Sequence, residues 1–147
     1  MSQWTHFLGI VRFDSMNLNV WPEPPDKNNL GLQEVKIIHK LVQMTSEPRG
    51  SEGPIQYETI LTNRGPTVVI TGDLRDFGYE DLKDVVGWLN YLLKIINEYA
   101  LKNKWMIFIR DAIVNCDVEY YGDKLLIELN EDCDKFILNT YKKKQPK

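Results

Sequence analysis

Apolar positions along this chain change period several times, and the changes mark out its elements. From Trp4 to Phe13 both alternating sets are largely apolar, with Phe7, Gly9, Val11 and Phe13 on one side and Leu8 and Ile10 beside His6 on the other. A strand apolar on both sides belongs in the middle of a sheet. Asp14–Leu30, punctuated by Pro22, Pro24 and Pro25, reads as a long loop whose Met16, Leu18, Val20 and Trp21 pack down. Leu32, Val35, Ile38, Leu41 and Val42 then recur at helical spacing and predict a helix over Leu32–Met44. Gly and Pro break it within Thr45–Pro54.

Period two resumes over Ile55–Thr62, turns through Asn63–Pro66, and continues in the strand Thr67–Leu74. Tyr79–Lys102 is the longest helix, with Leu82, Val85, Leu89, Leu92 and Ile96 on a wide apolar face. Trp105–Tyr121 reads as a long strand, and Tyr121-Gly122-Asp123-Lys124 signals a hairpin into Leu125–Glu131. Phe136–Tyr141 reads as a short closing helix.

This order predicts an α+β fold of the ferredoxin-like split βαβ kind (β-α-β-β-α-β). An extra C-terminal hairpin strand extends its antiparallel sheet, and the helices share one face. Across the sheet the strands should run fifth, fourth, first, third, second. Right-handed crossovers are expected. The arrangement gathers the start of the first strand, Gly50–Gly53 and the end of the third strand at one edge. Asp14 and the Asn63–Pro66 turn fall at the opposite edge.

The gathered edge is the candidate ligand-binding site: His6, Ser51, Glu52, Asp73, Arg75 and Asp76, with Trp4 as a wall. Its carboxylates offer oxygen ligands to a divalent metal, and a His–carboxylate pair can move protons. The Gly50–Gly53 backbone can face an anion with Arg75 as its charge partner. Each feature also has a purely structural use. Asp76 can cap the long helix, Arg75 can pair with Asp73 or Glu52, and the glycines can serve turn geometry. Two further groups stand out. Arg110-Asp111 interrupts an apolar strand, predicting a bulge or a buried ion pair, and Arg12 on the adjacent first strand can meet Asp111 across the sheet. Tyr120 and Tyr121, with the strand Leu125–Leu129 taken as an exposed edge, invite pairing between subunits.

Composition narrows the classes. The chain has 147 residues, enough for one domain over 1–141, followed by a basic tail at 142–147. A net charge of −3 does not advertise nonspecific affinity for nucleic acid, and the Lys142–Lys144 run reads first as a solubilising tail rather than a phosphate-touching arm. Cys116 and Cys133 have neither CxxC spacing nor a neighbouring His, which argues against zinc and against a disulfide framework. No leader-like N-terminus or membrane-length apolar run is present, so a cytoplasmic location, no membrane partner and no cofactor are expected. P-loop, GxGxxG, HExxH and nucleophile-elbow patterns are missing.

Trp4-Thr5-His6, Gly50-Ser51-Glu52-Gly53 and Gly72-Asp73-Leu74-Arg75-Asp76 together resemble a pattern found in small accessory proteins of bacteriophages and prophages. The resemblance implies a host-cell protein that works by binding a host component, as a counter-defence factor does, and it supplies no catalytic residues. The leading expectation is therefore a non-enzymatic, homo-oligomeric binding protein that holds a host protein or sequesters a small anionic ligand. The alternatives are a metal-dependent phosphoester hydrolase using Glu52, Asp73 and Asp76 as ligands and His6 as acid or base, and a virion or immunity-type interaction protein.

Overall fold

A computed structural model describes residues 3–17, 27–63, 65–119 and 123–140. Six strands, β1 (Trp4–Asn17), β4 (Gln56–Thr62), β5 (Gly65–Arg75), β6 (Trp105–Val118), β7 (Asp123–Leu129) and β8 (Phe136–Thr140), form one antiparallel sheet. Their order across it is β4-β5-β1-β6-β7-β8. Two helices accompany them, α1 (Lys27–Gln43) and α2 (Leu82–Asn103), together with a two-residue hairpin of β2 (Arg49–Gly50) and β3 (Gly53–Pro54). The first five sheet strands lie in the order that the alternation predicts. The sheet is larger than expected, because β8 adds a sixth strand.

One core joins the inner face of the sheet to both helices. Phe7, Val11 and Phe13 of β1, Val68 and Ile70 of β5 and Ile107, Ile109 and Val114 of β6 meet Ile38 and Val42 of α1 and Leu89, Leu92 and Ile96 of α2. Each fully buried side chain of this kind contributes about 1.5–3 kcal/mol of transfer free energy. Gly9 leaves no room for a side chain between β1 and β6: a Cβ there would lie 2.6 Å from the Ile113 carbonyl oxygen and from Val114 Cα. Buried polar groups are partnered. The Trp88 indole N–H donates to Thr45 Oγ1 at 2.7 Å, and that hydroxyl donates to the Val42 carbonyl at 2.6 Å.

Three expectations are corrected. Phe136–Thr140 is a strand, because its backbone pairs antiparallel with β7, from Leu129 opposite Phe136 to Leu125 opposite Thr140, and side chains fix the turn and the strand's first residue. Asn130 Oδ1 accepts the Asp134 and Lys135 N–H groups and turns the chain back. Asn90 of α2 accepts the Phe136 N–H at 2.7 Å and donates to its carbonyl at 3.2 Å, which seats the buried Phe136 ring. As a result β7 is an interior strand, and β4 and β8 are the edges. The proposed pairing edge at Leu125–Leu129 is already occupied. Thirdly, β1 continues to Asn17 and α1 begins at Lys27, so the segment read as loop shortens at both ends. Leu18, Val20, Trp21, Tyr120, Tyr121 and the basic tail lie outside the described residues.

The bulge expected near Arg110-Asp111 is present. The register between β1 and β6 slips between Arg12 and Phe13, so that Arg12 faces Asp111 while Phe13 faces Ile109. Arg110 is the extra residue. Arg12 Nη1 reaches Asp111 Oδ2 at 3.5 Å, and Arg110 Nη1 lies 3.9 Å from Asp14 Oδ1.

Candidate functional site

The residues expected at one sheet edge do converge there. Trp4 pairs with Arg75 and His6 with Asp73 across β1 and β5. The small β2–β3 hairpin docks on the end of β5: the Ser51 N–H donates to the Arg75 carbonyl at 2.9 Å, and a Cβ on Gly50 would lie 2.6 Å from that same oxygen. Only glycine fits this approach. The docking brings Glu52 Oε1 to 2.9 Å from Arg75 Nη1.

His6 stands between two carboxylates, with Nδ1 2.5 Å from Asp73 Oδ1 and Nε2 3.4 Å from Glu119 Oε1. Its pKa is raised above the usual 6.5, chiefly by the hydrogen bond with Asp73; partial burial opposes this and Glu119 reinforces it. Asp76 begins the turn out of β5 in the left-handed region, at φ 56°. That turn is pinned by Phe77, whose ring meets Phe7 edge-on at 5.7 Å and whose carbonyl accepts the Thr5 hydroxyl. Asp76 does not cap the helix. Asp81 stands at the N-cap position of α2 without a side-chain cap bond to it, and instead accepts the Gly78 N–H at 2.8 Å, closing the 3-10 turn Tyr79–Asp81 that leads into the helix.

The chemistry of this edge is therefore self-contained. Arg75 is engaged by Glu52, the Ser51 N–H is engaged by the Arg75 carbonyl, and His6 is engaged on both ring nitrogens. Among the described residues, no three His, Cys, Asp or Glu side chains converge so as to hold a metal ion. The assembly that a hydrolase using Glu52, Asp73 and Asp76 would need is not formed. Burial pushes the Cys116 thiol up to about 12, far from nucleophilic ionisation at neutral pH.

A different surface emerges from the same register. Both helices cover one face of the sheet, and among the described residues no element covers the other. On this open face the ladder places side chains in rows across the strands. One row runs Glu58, Val69, Ile10, Ile113, Glu128 and Ile137 across β4, β5, β1, β6, β7 and β8. The next holds Thr71, Leu8, Asn115 and Leu126, and beyond it lie His6, Asp73 and Asp117. Leu8 is 63% exposed and Ile113 40%. Phe108 and Met106 of β6, also on this face, are about half exposed, and a shallow depression beside Ile10 is lined by Arg12, Ile60, Thr67 and Val69.

Two helices sharing one face, as the sequence predicts, leave the other face of the sheet open. What sequence reading misses is an apolar surface there, because the outward row of β1, with Leu8 and Ile10 beside His6, reads only as the mark of a central strand. Among the described residues no helix is long and apolar enough to cross a membrane. Comparisons with known proteins find no matching family, no similar curated protein and no similar solved structure.

Proposed function

We propose that this chain is a non-enzymatic binding protein that docks a protein partner on the open face of its sheet. The observation that carries the reading is the apolar stripe at the centre of that face, with Leu8 and Ile113 exposed and Ile10 and Val69 partly so, rimmed by ionic side chains. Contiguous exposed apolar surface with a polar rim is the signature of an interaction site. The resemblance to phage accessory proteins fits this role, with a host protein as the partner and counter-defence as the setting.

Small-anion sequestration at the Gly50–Gly53 edge has less support. Arg75 is engaged by Glu52, and the Asp73 and Glu119 carboxylates beside it repel an anion. The test is stoichiometric co-purification from the cells that naturally make the protein. A partner retained by wild type and by a Met44→Glu variant on the helix side, but lost from Leu8→Glu and Ile113→Glu, supports the reading. A partner lost from Met44→Glu and kept by both open-face variants would place binding on the helices and overturn it.

A further inference from the structure

The charge pattern of the open face specifies the chemistry of what sits on it. Each described cation on the face has a carboxylate assigned to it. Arg12 has Asp111, Arg110 has Asp14 and Arg75 has Glu52, while Lys124 stands opposite Asp117 in the ladder. The surplus is carboxylate: Glu58 and Glu128 flank the apolar centre with no cation beside them among the described residues, and Glu128 only accepts from the neutral Asn139 amide.

The placement of these two glutamates is specific. They occupy the same ladder row, on either side of Val69, Ile10 and Ile113. Glu58 and Glu128 are four strand spacings apart, each about 4.8 Å, which sets them about 19 Å from each other. An α-helix with its side chains is about 10–12 Å across. A helix lying along β1 would cover Leu8, Ile10 and Ile113 with one apolar stripe. Lysine or arginine side chains on its two flanks would span the remaining distance to the glutamates.

Resting on the reading of this face as a docking surface, we infer that its occupant is an amphipathic helix of the partner protein with Lys or Arg on both flanks of its apolar stripe. Such a helix completes a three-layer packing over a sheet that has helices on only one side. A second copy of this chain is disfavoured, because face-to-face stacking brings the surplus carboxylates of both copies together without cations. Nucleic acid is disfavoured by the same surplus.

The test uses two synthetic helical peptides with the same Leu/Ile stripe, one flanked by Lys and Arg and its twin by Glu. Titrated into the full-length protein at low salt, the basic peptide is expected to bind at least about tenfold more tightly than its twin. The Glu58→Gln/Glu128→Gln variant keeps the shape of both side chains and is expected to erase the preference, and Glu58→Lys/Glu128→Lys to reverse it. Equal binding of both peptides would overturn the inference while leaving the docking reading intact. So would the absence of binding by either peptide alongside a natural partner still released by Leu8→Glu. A dimer in native mass spectra that Leu8→Glu dissolves would also overturn it, by making a second copy the occupant.

Discussion

His6 Nδ1 lies 2.5 Å from Asp73 Oδ1 on the adjacent strand, while the far side of the same ring faces Glu119 at 3.4 Å. The imidazole is held above its usual 6.5 in the folded protein, mainly by Asp73. A group whose folded pKa is raised contributes stability that is fully present below its unfolded value. That contribution disappears as pH rises through the folded value. Thermal melts between about pH 5 and 8 should therefore show wild type losing stability as pH rises. His6→Gln should lack that component. Both partners are well exposed, so the effect is at most about 1 kcal/mol. Identical pH profiles for the two proteins would show that the His6–Asp73 contact contributes nothing to folding.

Gly9→Ala is expected to destabilise the protein by about 1–3 kcal/mol, the usual range for overpacking. The added methyl would meet the backbone of β6 at 2.6 Å, and backbone cannot swing aside. Denaturant midpoints measure it. A midpoint matching wild type would mean that β1 and β6 separate more easily than their register implies.

Thr45 connects the end of α1 to the middle of α2 through the buried Trp88 N–H. Thr45→Val keeps the shape and orphans that donor, with an expected cost of about 1–3 kcal/mol. Thr45→Ser retains the hydroxyl and should recover most of the loss. Equal destabilisation by both would assign the role of Thr45 to its methyl group.

Much of the architecture was legible because alternation and helical spacing report which faces are buried. The order of five strands and the meeting of His6 with Asp73 both follow from them. Phe136-Ile137-Leu138 was not legible as a strand, since so short an apolar run fits either period. What decides it is tertiary: β7 pairs with the whole segment, and Asn90, on a helix distant in sequence, holds the Phe136 backbone. The gathering of Glu52, Asp73 and Arg75 was foreseen, but which carboxylate takes Arg75 depends on how the β2–β3 hairpin docks: Glu52 does, while Asp73 holds His6. An open face follows from two helices sharing one side, but the exposure of Leu8 on it was not legible, because in sequence an apolar side chain on a central strand looks like a core residue.

That difference predicts opposite costs for similar truncations. Leu89→Ala removes a fully buried side chain and should cost about 2–5 kcal/mol. Leu8→Ala, on a side chain 63% exposed, should change stability by no more than about 0.5 kcal/mol. A large loss from Leu8→Ala in denaturant melts would mean that something of this chain's own covers the open face.

The most direct measurement places isoleucine methyl labels in the otherwise deuterated protein and records their spectra in an extract of the cells that naturally make it. Ile10 and Ile113 report on the open face, Ile37 and Ile95 on the groove between the helices, and Ile38 and Ile96 on the core. Docking on the sheet broadens Ile10 and Ile113 selectively, and leaves Ile37 and Ile95 sharp. Broadening confined to Ile37 and Ile95, with Ile10 and Ile113 unchanged, would contradict the assignment of the open face as the binding surface.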